Sequence, residues 1–224
     1  MVCGLNKIKH LKDPVHMPTS IVLAIIKLGS LLFPVKIVNN KRDKDLFIKT
    51  WHTVWLEENY ASEDDYIIEK YSKYDEYSTD MLVMFIGVLP IGTMRIITNN
   101  KEYGLPTLND FVVKLDVRNK NISEVTLLTV VKRFRRKFLH LPFAVLMRAL
   151  YRHTNKEKLD GLMIAADEKL YESLTSVVKL PFSQVGDAVF YEGSITVPAF
   201  MTMENFDSKF KESNLLIASY VGCS

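Results

Sequence analysis

The stretch from Ile122 to Lys137, ISEVTLLTVVKRFRRK, carries the densest potential for chemistry in the chain. Glu124 stands near the start of a run of Val, Thr and Leu that reads as a largely buried strand. At its far end Lys132, Arg133, Arg135, Arg136 and Lys137 place five basic residues in six positions. A strand carboxylate shielded from water is suited to accept a proton, because burial penalises its charged form. A basic turn ahead of a helix is suited to hold an anion, because free N–H groups and the helix dipole add to the side-chain charge. Taken singly, a strand Glu usually faces water and a charge run is usually a solvated face. Arg95 is a third candidate. It sits inside the apolar segment PIGTMRII, so it needs a carboxylate partner such as Asp75 or Glu124, or it faces a cleft.

Elements of several kinds must position these groups. LPFAVLMRALYRH repeats apolar residues at helical spacing and predicts a helix from about Leu139 to His153, with the basic run in the turn before it. A strand over 161–166 follows, then a helix opened by Asp167 and running to about Lys179, and two strands joined at Glu192-Gly193. Upstream, MLVMFIGV and PIGTMRII form a hairpin with LPIG as its turn, and Thr107 is placed to cap one helical turn. Leu46, Phe47, Trp51, Val54 and Trp55 mark a helix from Lys44 to about Glu58 that faces a core or an apolar tunnel. The acidic segment 61–80, rich in Tyr, reads as an ordered loop or short helix.

With 48% hydrophobic and 25% charged residues, the 224-residue chain has the balance of a folded protein with a substantial core. A net charge of +3 excludes a polyelectrolyte ligand of nucleic acid, and the KRFRRK run is too short and isolated to reverse that. Charge is instead segregated, with an acidic patch over 57–80 and a basic one over 132–137. Cys3 and Cys223 lack metal-ligand spacing, so no metal is expected, and they leave a reducing, cytoplasmic setting as the default. The apolar run 21–35, broken by Lys27, Gly29 and Pro34, is too short to span a bilayer; it predicts a helix packed on the body or lying at a membrane surface. The division expected is a poorly ordered 1–18, an apolar helix and linker over 19–42, one catalytic domain over 43–204, and a tail over 205–224.

The order of elements resembles the GNAT acyltransferase fold, an α/β architecture whose central mixed sheet is flanked by helices and whose two parallel strands splay apart. VWLEENY (54–60), YDEYS (74–78), IGTMRII (91–97), LPTLNDF (105–111), SEVTLLTVVKRFRR (123–136), LMRALYRHT (146–154) and YEGSITVP (191–198) are similar to successive landmarks of the N-acyl amino acid synthases, relatives of the acyl-homoserine-lactone autoinducer synthases. The resemblance implies transfer of a long-chain acyl group from acyl carrier protein to the amine of an amino acid or related amine. It assigns Glu124 to the acceptor amine, Arg95 to a polar anchor of the catalytic site, and Asp75, Ser78 and Trp55 to the acceptor side. Leu127, Leu128, Thr129 and the basic turn Lys132, Arg133, Arg135, Arg136 and Lys137 fall to the donor side. Trp51, Phe85, Phe143 and Met147 are candidate walls of an acyl tunnel.

No cofactor is expected to be held permanently; the phosphopantetheine of the carrier protein arrives with the substrate, and acyl-coenzyme A is the alternative donor. Coenzyme A-dependent acetyltransferases of this fold carry a glycine-rich phosphate loop, whereas this chain has no glycine between Gly104 and Gly161. The basic side chains would then supply the charge and steer an acidic carrier protein. Two other readings stay open: a coenzyme A-dependent acetyltransferase, and a non-catalytic lipid- or protein-binding module with 21–35 at a membrane.

Overall fold

The computed structural model describes residues 19–60, 66–117, 120–135 and 141–210, together with 212 and 220. Among the described residues, eight strands form one sheet: β1 (Val35–Ile37), β2 (Ser78–Phe85), β3 (Leu89–Thr98), β4 (Ile122–Val130), β5 (Gly161–Asp167), β6 (Ser183–Gln184), β7 (Val189–Tyr191) and β8 (Ser194–Thr202). The order is β1-β2-β3-β4-β5-β8-β6, with β7 also paired to β8. Every pairing is antiparallel except β4 with β5.

Alternation of side chains along β2 and β3 builds two cores. Met81, Val83, Met94 and Ile96 face one side, under α6 (Leu141–Glu157). Leu82 and Ile97 face the other, under α2 (Lys41–Glu57) and α3 (Tyr66–Ser72), where they meet Phe47, Trp51 and Tyr71. The sheet is therefore apolar on both faces, as a sheet covered by helices on both sides requires. Asn40 caps α2 by accepting the Asp43 N–H at 3.0 Å, a signal that places the helix start three residues before the expected Lys44.

Two local expectations are corrected. The β2–β3 turn is Ile86–Val88, not LPIG: Ile86 and Gly87 both have positive φ, while Leu89 and Pro90 already pair with Phe85 and Met84. Glycine at 87 makes the tight turn possible, and Pro90 lies where the ladder is already irregular, between Val83 and Met84. The apolar run 21–35 is also not one helix. α1 (Thr19–Ser30) stops before Pro34, and Val35 opens an edge strand on β2. No helix among the described residues is long and apolar enough to cross a membrane. The segment 1–18, both cysteines, Arg136 and Lys137 lie outside the described residues.

Beyond β5 the chain continues through α7 (Glu168–Glu172), capped by Asp167 as expected, into a wider helical turn over Ser173–Val177. The β7–β8 hairpin turns at Glu192-Gly193, both at positive φ. A Cβ at Gly193 would lie 2.4 Å from the Asn59 carbonyl oxygen, so glycine there lets the turn press against the end of α2.

Candidate active site

The parallel pair β4–β5 opens almost as soon as it forms. Pairing covers Ile122↔Gly161, Ser123↔Leu162 and Glu124↔Met163, after which both strands run on unpaired with each other. β4 also carries an extra residue against β3: the register steps from Arg95↔Thr126 to Thr93↔Thr129, and Leu127 takes a positive φ of 49°. A β-branched or bulky side chain in that region is rare, and such bulges re-aim the backbone beside a site. The Thr93 hydroxyl holds the bulge by donating to the Leu127 carbonyl at 2.7 Å and by a 2.7 Å contact with Thr129 Oγ1.

Glu124 lies at the apex of the opening and is 1% exposed. Its carboxylate accepts from the Thr107 N–H at 2.9 Å on Oε2 and from the Thr107 hydroxyl at 2.9 Å on Oε1. Thr107 is not the cap that the sequence predicts, because Leu105 is the cap of α4 (Pro106–Asp110), with Pro106 first in the helix. Both donors of Thr107 are thereby free for the carboxylate, including an N–H that the first helical turn cannot use. Burial pushes Glu124 up to about 7; the two Thr107 bonds oppose the rise, and the charges of Asp110 and Glu192 add to it. A carboxyl poised there exchanges a proton near neutral pH.

A cleft of about 130 Å³ opens over Glu124 between the diverging strands. Leu127, Leu128 and Ala165 contribute its strand walls, and Trp55, Tyr60, Tyr71, Phe111 and Tyr191 its aromatic walls. On the opposite face lies a smaller apolar chamber of about 30 Å³ with Met147, Leu150 and Met201 in its lining. Val125, Leu128, Ile164 and Leu174 line both spaces, so these four side chains stand between the cleft and the chamber.

Around the cleft stands a polar cluster. Lys70 pairs with Glu192 at 2.8 Å and with Asp110 at 3.1 Å, and donates to the Tyr191 hydroxyl, which in turn donates to Asp110. Burial alone would lower Lys70, but Glu192 and Asp110 outweigh it and raise its pKa. Tyr60 is pushed up to about 12, by burial and then by Asp167 and Glu58.

The predicted residues divide between this cleft and other places. Glu124, Trp55, Leu127 and Leu128 line the cleft, and Met147 lines the chamber. Trp51 is buried behind Trp55, with ring centroids 5.4 Å apart, and does not line either space. Phe85 packs on Phe33 and Phe134, and half-buried Phe143 packs on the same core. Arg95 bonds Asp80 through Nε at 2.6 Å and Nη2 at 2.8 Å, Asp75 through Nη2 at 2.7 Å, and the Tyr71 carbonyl through Nη1 at 2.7 Å. Of the two partners expected for Arg95, Asp75 is correct and Glu124 is not; Asp80 is the closer one. Ser78 donates to the Asp75 carbonyl at 3.3 Å, so Arg95, Asp75 and Ser78 form one group outside the cleft lining.

Of the basic turn, Lys132 and Arg133 are exposed on the single-turn α5 (Lys132–Arg135). Arg135 pairs with Glu58 at 2.6 Å and donates to the Val130 carbonyl at 2.7 Å. Thr107, Tyr60, Tyr191, Glu192 and Asp167 were not singled out as site residues by sequence reasoning. Glu192 and Asp167 read only as turn and cap, and their approach to Glu124 depends on the tertiary fold.

A family model described as N-acyl amino acid synthase FeeM matches residues 51–204. No curated protein matches. Among solved structures, the chain is similar to FeeM, an N-acyl amino acid synthase from uncultured soil microbes, at 18% identity and a TM-score of 0.67 over 82% of this chain and 97% of that one. It is similar to the AHL synthase LasI at 17% identity and 0.60 over 80% and 92% of the two chains. A GNAT-family acetyltransferase from Staphylococcus aureus Mu50 shares the fold at 12% identity and 0.51, over 76% and 99%. The sheet with its splayed parallel pair is thus a GNAT acyltransferase fold, and since the family match takes in well over half of its length, the chain belongs to the N-acyl amino acid synthase family.

Proposed function

We propose that this acyltransferase moves a long-chain acyl group from acyl carrier protein to the amine of an amino acid or a related amine, with Glu124 as the general base. The observation that carries the reading is a nearly water-free carboxyl, with a pKa raised to about 7, at the apex of an open strand pair. The amine enters over Glu124, which takes a proton from it directly or through one water as nitrogen attacks the thioester carbon. The C–N bond forms, the oxygen becomes an oxyanion facing backbone N–H groups of the Leu127–Thr129 bulge, and its collapse to the amide carbonyl breaks the C–S bond, the pantetheine sulfur leaving as a thiolate that takes up the proton held by Glu124 or one from solvent. The acyl chain runs through the strand gap into the chamber beside Met147, where methionine side chains can yield to it. Exposed Lys132 and Arg133, at the end of β4, are the described part of the donor-side landing.

The test is mass spectrometry of lipid extracts from cells overexpressing the protein beside a Glu124→Gln variant. The wild type is expected to yield N-acylated amines and the variant at least ~100-fold less. Gln can keep both Thr107 contacts by turning the hydroxyl, so folding is preserved. No N-acylated amine from the wild type, or equal yields from both, overturns the proposal.

A further inference from the structure

We infer that the end of the molecule where the α1–β1 and β2–β3 turns meet docks on an anionic lipid surface, with aliphatic side chains of both turns entering the boundary between headgroups and acyl chains. The two turns are joined: the Ile86 N–H donates to the Leu32 carbonyl at 2.8 Å, and the Met84 N–H to the Pro34 carbonyl at 2.9 Å. Leu28, Leu31, Ile86 and Val88 are between 61% and 79% exposed, and Leu32 and Leu89 are exposed beside them. Turns ordinarily carry small and polar residues. Large aliphatics concentrated on two joined turns instead form an apolar tip, the kind of surface that marks a contact site.

Stability does not account for the side chain at 86. Ile86 and Gly87 have φ of 51° and 72°, and the Val88 N–H closes the turn on the Phe85 carbonyl at 3.2 Å. Two consecutive positive φ values are the setting in which Asn-Gly is preferred. A β-branched residue in the first place is strained, and, exposed as it is, Ile86 recovers little of that strain by packing.

Charge identifies the partner. This end is built from parts of three stretches, 14–42, 81–101 and 125–156, and none of the three contains an Asp or Glu. Lys27 is exposed in the last turn of α1. Lys132 and Arg133 are exposed on α5, whose Phe134 packs on Phe85 just before the β2–β3 turn, with ring centroids 5.4 Å apart. Lys36 and Arg135, by contrast, are paired with Asp43 and Glu58. Projecting aliphatics beside cations match the acyl chains and phosphates of an anionic bilayer. A protein partner would need a recess to receive them. The β4–β5 gap opens from Glu124 toward this same end, since Val130 pairs with Gly92 close to the turn. Under the acyl-transfer reading above, a lipid-like product therefore leaves toward the bilayer; docking itself does not depend on that reading.

The experiment is co-sedimentation of the purified full chain with vesicles of phosphatidylglycerol and phosphatidylcholine in equal parts, beside vesicles of phosphatidylcholine alone. Binding to the anionic vesicles is expected to be at least about fivefold tighter at low salt, with the difference narrowing at high salt. Ile86→Asn supplies the preferred turn residue. It should weaken binding to the anionic vesicles about fivefold or more while the melting temperature holds or rises. Leu31→Gln should weaken binding to a similar degree with the melting temperature unchanged. A wild type that stays in the supernatant with both kinds of vesicle overturns the inference, as do variants that sediment like the wild type. So does a lipid-free dimer that Ile86→Asn dissociates, which would make the tip a contact between copies of this chain. Turnover of a soluble acyl-carrier-protein thioester, measured without vesicles, should be the same in both variants as in the wild type. Absence of turnover in all three would overturn the acyl-transfer reading, whereas a drop confined to the variants would place the tip in the donor site and overturn docking as its role.

Discussion

Arg95 and Glu124 lie on adjacent strands, two steps apart in the β3–β4 ladder, and are 2% and 1% exposed, yet their surroundings treat charge in opposite ways. Arg95 and Lys44 face Asp80 and Asp75, two cations against two anions. Burial opposes ionisation of both Arg95 and Asp80, but pairing prevails: Arg95 is raised and Asp80 lowered, so each is locked in its charged form. Among the described residues Glu124 meets only the neutral donors of Thr107, and it rises to about 7. A buried charge with its counter-charge supports architecture; one without it titrates where the protein works and can pass a proton.

The largest expected effect tests the architectural half of that contrast. Arg95→Ala leaves Asp80, 5% exposed, without its main partner, and is expected to destabilise the fold by about 3–5 kcal/mol, measured by urea or thermal unfolding. Glu124→Gln in the same assay at pH 5 is expected to stay within about 1 kcal/mol of wild type, since no charge is orphaned. A stable Arg95→Ala protein that has lost turnover would break the comparison and return Arg95 to the chemistry.

A smaller effect sharpens the other half. The folded pKa of Glu124 lies above its ordinary 4.5. Its stabilising contribution is therefore complete below about 4.5 and is lost as pH rises through about 7, with a slope of up to ~1.4 kcal/mol per pH unit. Unfolding free energies of wild type and Glu124→Gln should run parallel below that window, diverge in favour of the variant within it, and run parallel again above it. Turnover has the opposite sign, because the base must be ionised: kcat/KM should climb with pH and flatten above about 7, an inflection absent from the variant. Coincident profiles for the two proteins would remove Glu124 from proton transfer.

The same contrast explains what could be read from the chain. Periodicity and turn residues speak for neighbours in sequence, so the strand at Glu124, the helix after it and the Glu192-Gly193 hairpin were legible. Arg95 could be identified as needing a carboxylate, because a charged residue in an apolar strand requires one whatever the fold. Which carboxylate was a matter of register: Asp80 lies directly across from Arg95 on β2, within the strand that the sequence reading began three residues too late. Thr107 had the type of a cap and serves as a ligand of Glu124 instead, a distinction made only when α4 packs against β4. Glu192 and Asp167 carried ordinary local explanations that were correct and concealed their place around the cleft.

The smallest effect concerns the basic turn, where the contrast recurs at the surface. Arg135, with its side chain 36% exposed, is paired with Glu58, whereas Lys132 and Arg133 project into solvent. An exposed pair of this kind contributes less than about 1 kcal/mol, so Arg135→Gln should barely move the melting curve. Lys132→Glu with Arg133→Glu should leave stability equally unmoved. If these two greet an acidic carrier protein, the pair of reversals should raise its KM about fivefold at low salt, less at high salt, with kcat unchanged. A small acyl-pantetheine thioester, which has no acidic surface to steer, should show no such change. An equal rise for both donors would mean that the charges shape the turn itself, and that the carrier protein lands elsewhere.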